Sequence, residues 1–153
     1  GEWTSDADGY NFGCFEISVT SRDMAKFGSL YLNEGRYGGK QVLSADWVRA
    51  SLDRYSEAIV RGGETSSRKG RYFTDIGYGY QWWSATVGER DIDYAVGHGG
   101  QLIVLLHDLD MIIVTTADPL YDYPAAQGWQ FEGGIVNMVG KFITSLPTGN
   151  STR

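Results

Sequence analysis

The sequence has little of several features that would assign a protein to a class at once. Its 153 residues include a single cysteine, Cys14, so no disulfide can form within the chain. The longest apolar runs, such as 102–106, are the length of a strand and fall far short of the roughly 20 residues that cross a bilayer. Only two histidines are present, without a cysteine cluster. We therefore predict no metal site and expect no cofactor.

Positive charge is also scarce. Thirteen basic side chains against 19 acidic ones give a net charge of −6. Nucleic acids and anionic membranes are bound through cationic faces, so neither is expected as the main partner. A hydrophobic content of 42%, with 5 Trp, 10 Tyr and 6 Phe, indicates a globular protein. We predict a single domain over 1–153, with 147–153 as a flexible tail.

Two helix starts are marked by hydroxyl caps. Thr20 is followed by an acid three residues later, and the helical apolar spacing after it ends at Gly35. Ser44 begins a second, shorter helix. This second helix is predicted to bury Trp47 and Val48.

Strand patterns dominate the centre of the chain. The segment 61–71 is polar and predicted to be a loop, whereas Tyr78–Trp83 is aromatic-rich and predicted to be a strand. Asp93–Val96 is a further short strand, and Gln101–Leu106 and Met111–Ala117 form a hairpin. The connection of this hairpin is too short for a parallel crossover, so the sheet is antiparallel. Both arms are apolar almost throughout, which predicts that both sheet faces are covered.

A terminal helix supplies one of these covers. It follows a predicted aromatic-rich loop, Tyr121–Gly134, and stops at Pro147. The spacing of its apolar residues predicts one buried face, made of Ile135, Met138, Val139, Phe142, Ile143 and Leu146. The predicted class is α+β: an antiparallel β-sheet covered by helices, including a C-terminal amphipathic helix.

A glycine-rich motif, GHGGQ (97–101), stands directly before the hairpin. Glycine forfeits packing in a strand, so three glycines around His98 suggest a close approach to the main chain. This motif follows SRDMAKFGSLYLNEGRYGGKQVLSADWV (21–48) and YGYQWW (78–83). In that order the three segments resemble the serine β-lactamase-like family, which includes class C β-lactamases, penicillin-binding proteins, esterases and 6-aminohexanoate-dimer hydrolases. The resemblance extends from about Trp3 to Leu146.

The resemblance implies a partial β-lactamase/transpeptidase-like fold and a part in acyl transfer. That family uses S-x-x-K for the nucleophile, then Y-x-N, and then K-T-G or its H-x-G variant. His98, Gly99 and Gly100 match the third motif. By resemblance, the glycines leave a strand edge bare for the substrate and His98 presents its ring to the site. The N–H of Gln101 is then one oxyanion donor.

The first two motifs have only coincidental matches. Ser66–Lys69 spells S-x-x-K and Tyr31–Asn33 spells Y-x-N, but their order is reversed. Ser66 also lies in a polar loop that offers no rigid support for a nucleophile. The chain therefore resembles a C-terminal half whose nucleophilic Ser precedes Gly1. The expected function is the C-terminal part of a serine hydrolase of esters or amides, inactive alone; the alternative is a non-catalytic binding or assembly module.

The resemblance also implies a partner and leaves the compartment open. An N-terminal segment or a second copy is expected to cover an exposed sheet edge. By resemblance the protein is expected to be bacterial, and its compartment to be the periplasm, the extracellular medium or the cytoplasm. Candidate substrate-binding residues are Trp82, Tyr121 and Trp129, each equally well explained as packing. Asp91 and Asp93 are interpreted as turn residues rather than as a catalytic pair, and His107 as a solvated turn residue.

Overall fold

The computed structural model describes residues 1–13, 16–57, 70–118 and 125–147, and the side chains of 125–130 are not described. Five features singled out in the sequence lie wholly or largely outside the described residues: Cys14, the predicted loop 61–71, the Ser66–Lys69 match within it, Tyr121 and the tail beyond Pro147. Within the described ranges, no helix is long and apolar enough to cross a membrane.

The described residues form ten strands and three α-helices. In chain order they are β1 (Glu2–Trp3), β2 (Ile17–Ser18), α1 (Ser21–Leu32), β3 (Arg36–Tyr37), β4 (Lys40–Gln41), α2 (Ala45–Leu52), β5 (Ser56–Glu57), β6 (Phe73–Tyr78), β7 (Trp83–Val87), β8 (Arg90–Gly97), β9 (Gln101–Leu106), β10 (Met111–Thr115) and α3 (Ala125–Ser145). Six strands form an antiparallel sheet in the order β10-β9-β8-β7-β6-β5, and β1–β2 and β3–β4 are separate short hairpins. The α+β class and the antiparallel sheet are confirmed.

Strand β9 is buried on both faces. Leu102, Val104 and Leu106 belong to the core that α3 covers. Ile103 and Leu105 point to the opposite face and pack in the core beneath α1 and α2. Because side chains alternate along a strand, an uninterrupted apolar run needs a cover on each side. The prediction that both faces are covered is confirmed for this strand.

The predicted helix starts are confirmed. The Thr20 hydroxyl accepts the N–H of Asp23 at 3.2 Å, and the Ser44 hydroxyl accepts the N–H of Trp47 at 3.1 Å. Each bond satisfies one of the N–H groups that a helix start leaves without a partner. Helix α1 lies close to the sheet at Gly28, where a Cβ would stand 2.9 Å from Cγ2 of Ile103.

The predicted burial of Trp47 is wrong. Its side chain is 48% exposed and stacks on Tyr80, with ring centroids 5.7 Å apart, while Val48 is buried as predicted. Adjacent residues on a helix point about 100° apart. The short helix α2 therefore buries Val48 and Ser51 and leaves Trp47 outside the core.

The predicted buried face of α3 is partly wrong. Met138 is 59% exposed and Phe142 is 47% exposed, whereas Val136 is fully buried beside Val139 and Ile143. The helix carries two neighbouring apolar stripes at similar spacing, and only one of them contacts the sheet. Sequence spacing alone does not show which stripe is buried.

Two element boundaries also differ from the prediction. Helix α3 begins at Ala125, so most of the predicted loop Tyr121–Gly134 is helical. The aromatic segment Tyr78–Trp83 is broken between β6 and β7, where Gln81 has a φ of 68°.

A titratable pair joins β8 to the hairpin connection. Asp91 and Asp93, interpreted as turn residues, lie in β8 instead. Nε2 of His107 is 2.8 Å from Oδ2 of Asp93, so this partly exposed histidine is paired rather than simply solvated. The hydrogen bond to Asp93 raises the pKa of His107, and partial burial opposes that increase.

Replacing Ile143 by alanine should cost about 2–5 kcal/mol of unfolding free energy, because it opens a cavity in a fully buried site. Met138→Ala should cost about 0.5 kcal/mol or less, because Met138 is exposed. Urea denaturation of the two variants measures both values. Equal losses would contradict the assignment of the buried stripe.

The stabilising effect of His107 should depend on pH. Because the folded-state pKa is raised above the ordinary value of 6.5, the contribution is fully present below about pH 6.5 and is lost as the pH rises through the higher folded value. Urea denaturation of wild type and His107→Gln from about pH 5 to about pH 8 should show the difference shrinking with pH. In an Asp93→Asn background that pH dependence should disappear. A difference that grows with pH would contradict the assignment.

Candidate functional site at the β8–β9 turn

The third-motif residues form the turn between β8 and β9. Gly97 pairs with Gln101 across the end of the two strands, and the N–H of Gly100 donates to the Gly97 carbonyl at 3.3 Å. Gly99 and Gly100 have φ values of 85° and 95°. L-residues with side chains rarely adopt these angles, so this turn requires glycine at both positions.

His98 projects from this turn toward solvent. Its side chain is 64% exposed, and its Nδ1 is 3.8 Å from Oε2 of Glu132. The ring is therefore accessible to another molecule, and one of its edges faces a carboxylate.

Glu132 is the residue at this turn that the sequence analysis missed. It belongs to α3, its side chain is 0% exposed, and its Oε2 accepts the N–H of Gly99 at 3.1 Å. A signal was present in the sequence, because Glu132 stands at helical spacing from Val136 and Val139 on the buried stripe. An acidic residue in the core position of a helix requires a polar partner.

From the sequence, Gly99 and Gly100 are expected to leave a strand edge bare, but both glycines are buried. A Cβ on Gly100 would stand 2.6 Å from Cδ1 of Ile135, so glycine allows α3 to approach the turn closely. The carbonyl of Gly100 also accepts the hydroxyl of Thr115 at 2.8 Å. The turn is thus held by α3 on one side and by β10 on the other.

Gln101 is half-buried at the start of β9. Its side-chain Nε2 donates to the Ala117 carbonyl at 3.4 Å, and its Oε1 lies over Gly97, where a Cβ would be 2.8 Å away. The side chain is therefore engaged within the fold. The role of the Gln101 N–H as an oxyanion donor stays a prediction.

Of the three candidate substrate-binding residues, Trp82 has a described side chain, and its ring contacts lie on the α1 side of the sheet; Tyr121 and the Trp129 side chain lie outside the described residues. Trp82 is 3% exposed and packs against Tyr31 and Phe27 on the α1 side, with centroids 4.6 and 6.2 Å away. Trp83 begins β7 and is half-buried on the opposite sheet face, against the core that α3 covers. Trp129 lies in α3, and its side chain is outside the description.

The coincidental Y-x-N match has structural roles. Tyr31 is buried in the core beneath α1. The side-chain amide of Asn33 donates to the Ser29 carbonyl at 2.8 Å, at the end of the helix. Neither residue faces the β8–β9 turn in its recorded contacts. In the ranges that the structure describes, no group of three or more His, Cys, Asp or Glu side chains is placed to hold a metal ion.

Gly100→Ala should destabilise the protein by about 1–3 kcal/mol from backbone strain alone, with a further cost from contact with Ile135. Gly134→Ala is the matched control, because Gly134 is in α3 and has open space around it. That variant should gain about 0.5–1 kcal/mol from helix propensity. Thermal and urea unfolding measure both. A neutral Gly100→Ala variant would contradict the described turn.

The chain is similar to hydrolases of one type. It is 30% identical over 145 residues to the 6-aminohexanoate-dimer hydrolase of Paenarthrobacter ureafaciens, a match that covers 94% of this chain and 35% of that protein. It also superimposes, with a TM-score of 0.54, on a Bacillus anthracis structure provisionally named a 6-aminohexanoate-dimer hydrolase. That match has 21% identity and covers 95% of this chain and 34% of the other. No known family profile matches the chain.

The chain thus spans about a third of the length of the relatives that it matches. The match runs through nearly all of this chain, including the helix–hairpin–helix segment, the aromatic segment and the β8–β9 turn. The ordered motifs, the antiparallel sheet with its terminal helix and the relatives are in agreement. These similarities support the resemblance of the chain to a C-terminal portion of the serine β-lactamase-like family.

Proposed function

We propose that this chain is the C-terminal part of a serine hydrolase that cleaves an ester or amide through an acyl-enzyme. The nucleophilic serine is carried by polypeptide outside this chain. The observation that supports this most directly is the 30% identity to a hydrolase, along almost the whole chain, combined with an exposed His98 in the third motif.

In this proposal the β8–β9 turn forms one wall of the active-site cleft. His98 contacts the substrate or leaving group with its exposed ring. Gly99 and Gly100 set the turn, and the N–H of Gln101 is one of two donors to the oxyanion. Preorganised N–H donors are effective because they bind the charge that develops in the transition state without reorganising.

Further substrate contacts are proposed for Tyr121 and Trp129. Tyr121 precedes α3 in the sequence and Trp129 lies near the start of α3, the helix that supports the turn. Trp82 is the weakest of the three candidates, because its ring is almost wholly enclosed by aromatic side chains. A contact between Trp82 and substrate would require α1 to move.

Two surfaces support the proposal that another polypeptide covers this chain. Among the described strands, β10 pairs only with β9, so its outer edge is available. Helix α3 presents a second apolar stripe, made of Phe131, Met138 and Phe142, each more than 40% exposed. A free strand edge and exposed apolar side chains both favour association. We propose that the N-terminal polypeptide of the intact enzyme, or else a second copy, covers them.

The alternative function is a non-catalytic binding or assembly module. Two observations favour it: the S-x-x-K match, Ser66–Lys69, stands in a polar stretch of sequence, and Tyr31 of the Y-x-N match is buried. Light scattering separates the two proposals. A stable soluble monomer favours an autonomous module, whereas a dimer or aggregate favours part of a larger enzyme.

The chain alone should show no burst and no covalent mass adduct with a chromogenic ester or a cephalosporin, because it lacks the nucleophile. Intact mass spectrometry after incubation measures this. An adduct on Ser66 would contradict the proposal.

A chimera tests whether this chain supports hydrolysis when a related hydrolase supplies the nucleophile. The matched third of the Paenarthrobacter ureafaciens hydrolase is replaced by this chain, and ester hydrolysis is measured. The chimera should be active, and His98→Ala should lower its rate by about 100-fold or more, as expected for loss of a group that assists proton transfer. His107→Ala is the matched control and should change the rate little, because His107 pairs with Asp93 away from the turn. Equal effects of the two histidines would overturn the proposed role of His98.

A further inference from the structure

We infer that Glu132 is a positioning residue for the third-motif turn, and this inference rests on the proposed function. Its carboxylate holds the main chain at Gly99 and faces the Nδ1 edge of His98. It thereby leaves Nε2 as the ring nitrogen that meets the substrate.

Glu132 is an ionisable residue in a fully buried position. Its side chain has no exposed surface, although it sits in a helix stripe that is otherwise apolar. Burying an ionisable group is unfavourable unless polar partners compensate. An apolar side chain would fill the same position without that cost, so the carboxylate indicates a need for an acceptor at this point.

One carboxyl oxygen of Glu132 lies close to both Gly99 and His98. One atom, Oε2, accepts the Gly99 N–H at 3.1 Å and lies 3.8 Å from Nδ1 of His98. The first distance is a hydrogen bond; the second is within ion-pair range and a small ring rotation away from a hydrogen bond. A carboxylate beside Nδ1 favours the proton on that nitrogen, which fixes the tautomer and leaves the Nε2 lone pair available.

Two further contacts, from Thr115 and Ile135, hold the same turn that the Glu132 carboxylate binds. Thr115 holds the Gly100 carbonyl from β10, and Ile135 fills the space beside Gly100. Glu132 supplies the third attachment, one residue away at Gly99. With three attachments on two consecutive residues, the turn cannot shift without breaking one of them. The positions of His98 and Gln101 on either side are then fixed together.

The first test uses this chain and needs no enzymatic activity. Glu132→Gln keeps the size and an acceptor oxygen but replaces the carboxyl group by an amide, and Glu132→Ala removes both oxygens. Glu89→Gln, at an exposed acid, is the matched control. Nitrogen-15 NMR at about pH 9, where a histidine ring is neutral, reports the His98 tautomer, and the Gly99 amide proton reports the main-chain bond.

Wild type and Glu89→Gln should show the proton mainly on Nδ1 and a downfield, slowly exchanging Gly99 amide. In Glu132→Gln the tautomer should shift toward Nε2–H, with partial loss of the amide shift, while the circular dichroism spectrum stays unchanged. In Glu132→Ala both signatures should be lost. If the His98 tautomer and the Gly99 amide of a folded Glu132→Gln are those of wild type, the inference is overturned.

The second test uses the active chimera. Glu132→Gln should lower kcat roughly 10- to 100-fold with little change in KM, as expected when the partner that orients a functional histidine is removed. An unchanged kcat would overturn the inference. If the NMR signatures change as expected while the chimera has no activity, the positioning role is supported and the proposed function is what fails.

Discussion

The double-sided burial of β9 is the constraint on which the rest of the fold depends. A strand with apolar side chains on both faces is stable only between two layers, so α1 and α2 must pack on one side and α3 on the other. Because β9 begins at the β8–β9 turn, the helix that covers it also reaches that turn. The packing of the core therefore brings Glu132 and Ile135 to the third-motif residues.

Helix α3 therefore contributes both to the core and to the candidate site. Val136, Val139 and Ile143 anchor α3 on the sheet, and the residues one turn earlier in the helix support the turn. The glycines of the motif contribute to the turn because they have no Cβ. Without side chains they allow positive φ angles and a close approach of the helix, so His98 is the one side chain that leaves the turn for solvent.

The exposed apolar surfaces are best interpreted together with the partial match of the chain to its relatives. The chain matches about a third of the Paenarthrobacter ureafaciens hydrolase. Among its described strands β10 pairs only with β9, and α3 exposes one apolar stripe beside the buried one. An unpaired strand edge and exposed apolar side chains both favour association with another polypeptide. Structure and comparison are thus both consistent with one portion of a larger hydrolase.

The sequence by itself determined the features that depend on local chemistry. The caps at Thr20 and Ser44, the β9–β10 hairpin and the identity of the His98 motif all follow from residues that are near neighbours in the chain. Only the tertiary structure decided which of two apolar stripes on α3 is buried, that Trp47 faces out, and that Glu132 meets Gly99 across 33 residues of sequence. Periodicity indicates that a helix has an apolar face, but the contact partner of each side chain depends on how the layers pack, which spacing along one segment does not specify.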